Sequence, residues 1–225
     1  MLILLDSSFT LIKPSQPVGL VYAQYLKAST ELSVDPAKIQ TAFQSSFARA
    51  PSPDYALGTS GHAAEVSWWR SLVLQIFLEI LEEDSLSAPV PVLEACFDSL
   101  FEYYAQPASW TLYPETVFFL EAASEIGTLA VVSNFDDRLA PILNGLGIGS
   151  FFEEIITSAD ALARKPERKI FEFALRKLDS PAEAACFCGD SYEADHLGAS
   201  SAGIRSFHLK RPADTLVDFL DFCRS

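Results

Sequence analysis

The run Leu2-Ile3-Leu4-Leu5, stopped by Asp6, sets the strongest limit on how this chain can fold. Four consecutive apolar residues with no polar alternation read as a strand covered on both faces, as in a parallel sheet. The next run that reads as a strand is Leu129-Ala130-Val131-Val132, so the strand's neighbours must arrive after a long detour. That detour, from Val18 to about Gln106, carries helical spacing throughout. Val18, Val21, Tyr22 and Tyr25 form one stripe, and Ile39, Phe43 and Phe47 a second. Val66, Trp69, Leu72, Val73, Ile76 and Phe77 form a third, and Leu93, Cys96, Phe97, Leu100 and Phe101 a fourth. About four helices and no strand are predicted there, after a turn-rich exit from Thr10 to Pro17 and with a Pro-, Ser- and Gly-rich loop at 51–61.

From Glu115 the pattern alternates. Helices are predicted over Thr116–Glu125, Asp136–Leu146, Glu167–Leu178, Tyr192–Ala202 and Thr215–Phe222. Strands are predicted at Leu129–Val132, Glu154–Thr157, Ala185–Cys188 and Ile204–Phe207. Gly145, Gly147 and Gly149 follow a helix and read as its C-cap and turn, not as a dinucleotide fingerprint. Repeated strand–helix units imply an α/β fold with a Rossmann-like parallel sheet. The predicted core is 1–14 with 108–225, and 15–107 is an inserted all-helical domain.

In such sheets ligands bind at the carboxyl ends of the strands. Asp6, Ser133 and Asp190 each follow a predicted strand. Singly they have plain readings: Asp6 as a turn residue, Ser133-Asn134 as caps, Lys165-Pro166 as a solvated loop, Asp190 and Asp195 as a cap and an exposed helical carboxylate. In conjunction they supply a carboxylate nucleophile, a hydroxyl, a cation and two metal-binding carboxylates, an inventory suited to phosphoryl transfer. The formal net charge is −14 over 225 residues. That excludes a phosphate-backbone binder and requires an anionic substrate to be captured locally. Cys96, Cys186, Cys188 and Cys223 have no zinc-site spacing and read as buried reduced thiols, with Cys186 and Cys188 on one strand face. Neither a basic leader nor a run of ~20 apolar residues is present, so a cytoplasmic protein without membrane contact is expected.

Together these patches resemble the haloacid dehalogenase (HAD) superfamily over essentially the whole chain. The helical insert resembles the C1 cap of subfamily IA. Ser133-Asn134-Phe135-Asp136 with Arg138-Leu139, and Trp68-Trp69 in the insert, are similar to the Reg-2-like branch. The resemblance implies a Mg²⁺-dependent phosphatase acting on a small phosphorylated molecule through an aspartyl-phosphate at Asp6. It assigns Mg²⁺ to Asp6, the Ser8 carbonyl, Asp190 and Asp195, and the phosphoryl oxygens to Thr10, Ser133, the backbone of Asn134 and Lys165. Where the family reads Asp-x-Asp-Gly-Thr, this chain reads Asp6-Ser7-Ser8-Phe9-Thr10. Ser8 therefore occupies the position of the acid/base carboxylate, whose help contributes ~10²–10⁴ in rate. Three readings stay open: a slow or specialised phosphatase, a binding or regulatory protein that has lost turnover, and a dehalogenase-type hydrolase.

In the insert, Arg49, His62 and Arg70 are candidates for substrate contact. The plainer readings are a helix start for His62, after the turn Thr59-Ser60-Gly61, and a surface ion pair for Arg70. Trp68 and Trp69 read as core packing. His196 and His208 have no partners that suggest catalysis. An exposed aromatic face around Phe101, Tyr103 and Tyr104 is a possible protein-docking surface.

Overall fold

Along the chain the elements are β1 (Leu2–Leu5), β2 (Ile12–Pro14), α1 (Val18–Thr30), α2 (Pro36–Arg49), α3 (Gly61–Glu83), α4 (Val90–Tyr103), β3 (Trp110–Leu112), α5 (Thr116–Ser124), β4 (Thr128–Ser133), α6 (Leu139–Gly145), β5 (Phe152–Thr157), α7 (Ser158–Ala161), α8 (Arg168–Lys177), β6 (Ala185–Gly189), α9 (Gly198–Ser201), β7 (Arg205–His208) and α10 (Leu216–Arg224). The computed structural model describes residues 1–56 and 60–225; Thr59 of the expected turn before His62 lies outside them. Two units result. One comprises Met1–Lys13, Ser60–His62 and Thr111–Ser225, and the other Pro14–Thr59 and Ala63–Trp110.

The first unit is an α/β unit whose parallel sheet has the order β5-β4-β1-β6-β7. The N-terminal apolar run lies at its centre, which explains why all four of its residues are buried. Leu5 is in register with Val131 on one side and Cys188 on the other, so the chain segments leaving β1, β4 and β6 emerge along one edge. One face packs Leu2, Leu4, Ala130, Val132 and Phe187 against Ile170, Phe171 and Ala174 of α8. The Phe171 and Phe187 rings meet edge to face at 5.4 Å. On the other face Cys186 meets Cys223 of α10.

The second unit is helical. Leu26, Ile39, Ile76, Phe77, Leu93 and Cys96 are fully enclosed in its core. Asp35 caps α2 by accepting from the Ala37 N–H at 2.9 Å, with Pro36 preset for the first turn. Phe47 departs from its expected stripe. It is exposed and stacks on Trp69 at 5.8 Å, at the margin of the packing to which Trp68 and Trp69 belong. Arg70 pairs with Asp98 at 2.8 Å, as its surface reading predicts. The expected exposed aromatic face is not there: Phe101, Tyr103 and Tyr104 are half-buried, with Phe101 5.6 Å from Phe97, Tyr103 5.6 Å from Tyr25 and Tyr104 6.3 Å from Tyr22. Their helix turns them into the core because Tyr22 and Tyr25 present aromatic partners there.

Three local expectations change. The turn-rich exit contains β2, which pairs with β3 in a two-stranded ribbon. The helix expected from Asp136 begins only at Leu139, because the Asp136 side chain accepts from the Arg138 N–H and ion-pairs with its guanidinium. The helix expected over Tyr192–Ala202 is a π-helical turn, Tyr192–Leu197, running into the short α9. His62 is the second residue of α3, in keeping with a helix start, 3.6 Å from Asp137. Among the described residues no helix is long and apolar enough to cross a membrane.

Phe187 is wholly buried at the sheet centre, whereas Phe118 on α5 is 60% exposed. Phe187→Ala is expected to cost about 3–5 kcal/mol in urea unfolding at unchanged m-value, and Phe118→Ala less than ~0.5 kcal/mol. Equal costs would mean that the packing just described is wrong.

Candidate active site

Register brings Asp6, Ser133 and Gly189-Asp190 to one edge of the sheet, and the loop after α7 adds Lys165. The Lys165 ammonium is buried. It donates to Asp6 Oδ1 at 2.6 Å and to Asp195 Oδ1 at 2.5 Å, and sits 5.2 Å from the centre of the Phe187 ring. Two of its donors thus face carboxylates and the ring's electron-rich face lies near the ammonium. Ser133 Oγ donates to Asp6 Oδ1 at 3.0 Å. A hydroxyl has one proton, so the 2.7 Å contact between Ser7 and Ser133 must be Ser7 donating. The result is a directed chain, Ser7 to Ser133 to Asp6. Oδ2 of Asp6 receives only a long 3.4 Å contact from Thr10 Oγ1, leaving lone pairs available.

Asp190 lies just beyond β6, and Asp195 reaches back from the π-helical turn. Asp195 Oδ2 accepts from the Ser191 N–H at 2.9 Å, and its carboxyl rests against Gly189. A Cβ at Gly189 would fall 2.2 Å from Asp195 Cγ, so only glycine allows this approach. Asp6, Asp190 and Asp195 each offer an oxygen within 4.8 Å of the others. Three carboxylates against one ammonium leave two uncompensated negative charges if all ionise. A hard divalent cation such as Mg²⁺ fits both that charge and the oxygen donors.

The same crowding governs protonation. Burial pushes the Asp6 carboxyl up and Lys165 pulls it back, while Asp195 adds to the rise; the net shift is upward. Burial works to lower Lys165, but the carboxylates of Asp195 and Asp6 outweigh it and strengthen its hold on the proton. Asp190 is raised to about 7 by burial and then by the charges of Asp6 and Asp195.

Several contacts were not foreseen from sequence. Asn134, expected to contact phosphate through its backbone, uses its side chain otherwise: its carbonyl accepts from the Lys165 N–H at 2.7 Å and its amide donates to the Lys165 carbonyl at 3.0 Å. It fixes the backbone from which the ammonium projects. Ser8 is half-buried in a tight turn where the Ser7 carbonyl accepts from the N–H groups of Thr10, Leu11 and Ile12. Phe9 has φ 61° and is 50% exposed, a left-handed conformation that costs a non-glycine residue ~1–2 kcal/mol. Arg211 holds this turn. It donates to the Phe9 carbonyl at 3.3 Å and the Thr10 carbonyl at 2.8 Å, pairs with Glu115 at 2.6 Å and stacks 3.6 Å from the centre of the Tyr113 ring. No local sequence signal marks Arg211, since its partners lie 96 residues or more away along the chain. His208, expected to lack a relevant partner, has Nε2 3.1 Å from the Asp190 carbonyl, and His196 Nδ1 lies 2.8 Å from Ser206 Oγ.

The family model for haloacid dehalogenase-like hydrolases matches residues 4–203. The chain is 34% identical over 218 residues to haloacid dehalogenase-like hydrolase domain-containing protein 3 of Mus musculus, across 94% of this chain and 83% of that one. It is 32% identical over 212 residues to the protein of the same name from Danio rerio, across 93% and 84%. The HAD-hydrolase YfnB from Bacillus subtilis, solved bound to magnesium, is similar with a TM-score of 0.75 and 18% identity, covering 100% of this chain and 98% of that one. At that identity the likeness shows the fold alone.

Asp190 holds its proton to about pH 7 in the folded chain, against 3.8 as its ordinary value. The stability tied to that proton is fully present below the unfolded pKa and lost as pH rises through the folded one. The metal-free protein should therefore melt several degrees lower at about pH 8 than at about pH 5, and Asp190→Asn should flatten that fall. A wild-type Tm independent of pH, or an unchanged slope in Asp190→Asn, would refute the assignment.

Proposed function

This chain belongs to the haloacid dehalogenase-like hydrolases, and from that premise we propose that it is a Mg²⁺-dependent phosphatase of small phosphorylated molecules, working through Asp6. The observation that carries the reading is the arrangement around Asp6. Its Oδ1 is fixed by Ser133 and Lys165, its Oδ2 has lone pairs available, and two further carboxylates lie within metal-sharing distance. We assign the enzyme to the Reg-2-like branch of subfamily IA, with residues 15–107 as a C1-type cap and 1–14 with 108–225 as the core. Its Ser133-Asn134-Phe135-Asp136 motif and its likeness to domain-containing protein 3 support that branch. Four free cysteines suit a cytoplasmic setting.

In the proposed reaction an Asp6 oxygen attacks phosphorus as the ester P–O bond breaks, giving an aspartyl-phosphate and the departing alcohol's anion. Water then attacks phosphorus, and the Asp6 carboxylate leaves with inorganic phosphate released. Lys165, its own backbone clamped by Asn134, holds positive charge beside the nucleophile and the incoming phosphoryl oxygens. Ser133 and Thr10 contribute hydroxyls to the same oxygens. Asp6, the Ser8 carbonyl, Asp190 and Asp195 would hold Mg²⁺. When bound, the ion supplies charge neutralisation and polarises the phosphoryl oxygens. His208 positions Asp190 through its backbone carbonyl.

Ser8 decides the character of the enzyme. A hydroxyl with no pKa near neutrality neither protonates the leaving alcohol nor deprotonates the attacking water, a loss of roughly 3–5 kcal/mol in barrier lowering. Acyl phosphates and aryl esters, whose leaving groups need little protonation, are the favoured substrates. The same residue favours a second reading, a binding or regulatory protein that retains phosphate and metal affinity without turnover. A dehalogenase is less favoured, because the Asp190 and Asp195 carboxylates have no role in metal-free displacement of halide.

With Mg²⁺, slow hydrolysis of an aryl phosphate is expected. Asp6→Asn should abolish it, and Ser8→Asp should raise turnover of alkyl phosphates by ~10²-fold or more. Turnover seen only in Ser8→Asp would select the regulatory reading. Halide release from 2-haloacids without metal would overturn both.

Mg²⁺ should also raise the Tm, and Asp190→Ala should remove that rise. A Tm shift undiminished in Asp190→Ala would place the ion elsewhere.

A further inference from the structure

Cys186 and Cys223 stand apart from the phosphoryl site. Cys186 is the second residue of β6 and faces away from Phe187. Leu216, Phe219, Leu220 and Cys223 form the buried stripe of α10, at the spacing that brings one helix face onto a sheet. The stripe delivers Cys223 onto Cys186, with the sulfurs 3.2 Å apart. No other pair among Cys96, Cys186, Cys188 and Cys223 is in such contact among the described residues. A covalent S–S bond is ~2.0 Å long, so the sulfurs must close by only about 1.2 Å to bond.

We propose that Cys186 and Cys223 are a modification site: on exposure to a peroxide they form an intramolecular disulfide that fastens α10 to β6. The Cys186 sulfur attacks one peroxide oxygen. The O–O bond breaks, hydroxide leaves and takes up a proton, and Cys186 becomes a sulfenic acid. The Cys223 sulfur then attacks the sulfenic sulfur. The S–O bond breaks, and the departing hydroxide takes the Cys223 proton as water. Two thiols are oxidised by two electrons, and one peroxide is reduced to two waters.

The order of events follows from the surroundings. The hydrogen bond with Cys223, helped by the nearby Arg205 guanidinium, outweighs burial, so Cys186 holds its proton less tightly than a free thiol. Burial pushes Cys188 well up and keeps it inert. Cys223 lies in the last turn of α10, and the fraying of a helix end admits a molecule as small as hydrogen peroxide. The bond ties the final helix to the strand that leads directly into Asp190.

The test oxidises the full-length folded protein with hydrogen peroxide, blocks remaining thiols and measures intact and peptide masses. The expected product has lost the mass of two hydrogen atoms and yields one linked peptide pair containing Cys186 and Cys223. Dithiothreitol should reverse it, and the Tm should rise by on the order of 5 °C. Cys223→Ser and Cys223→Ala should each abolish the link, whereas Cys96→Ser should leave it. Oxygen added to either sulfur without a link, a link through Cys96 or Cys188, or a link formed only in denaturant would each overturn the proposal. The wild-type mass decides this even if the Cys223 variants fail to fold.

Discussion

The site is organised by one buried ammonium. Lys165 lies between Asp6 and Asp195, and both carboxylates need it to be ionised at that depth. Asp195 also needs the bare backbone of Gly189 and the N–H of Ser191. Lys165 needs Asn134, which grips its backbone at both ends. Asn134 follows β4, Asp6 follows β1 and Asp195 lies in the turn after β6, so Lys165 is held by groups that leave three neighbouring strands. One positive charge cannot neutralise three carboxylates, and the excess charge gives the cluster its demand for a cation.

What was legible in the sequence were features with a short range. The apolar runs of β1, β4 and β6 declare buried parallel strands. The glycine after α6 declares a helix end, and Gly147 adopts φ 79° there. The juxtaposition of Asp6, Ser133, Lys165, Asp190 and Asp195 was also legible, because strand ends in a parallel sheet share an edge. What was not legible depends on partners distant in sequence. Ser7 looks like any turn serine until Ser133 arrives to receive its proton. Arg211 looks like a loop residue until Thr10 and Glu115 surround it. Asp136 has a helix starter's composition, yet its pairing with Arg138 delays α6. Phe101, Tyr103 and Tyr104 have the composition of a docking face, yet Tyr22 and Tyr25 draw them inward.

The turn at residues 7–12 combines a rigid backbone with a plain hydroxyl at its second position. Its backbone is held firmly, by its own hydrogen bonds and by Arg211, despite the left-handed Phe9. Its side chain at position 8 is a hydroxyl, which does not ionise near neutrality. Under the proposed function, holding a phosphoryl group and moving a proton would fall to different atoms.

The position of β1 has a consequence for synthesis. The central strand leaves the ribosome before both of its partners, which begin at Thr128 and Ala185. The turn that follows it waits longer still, for an arginine at position 211. For most of translation the helical segment can fold on local contacts while Leu2–Leu5 has no sheet to join. Asp6 is therefore made well before the groups that surround it and is set in place late, so no nascent fragment ending before Arg211 carries a complete site.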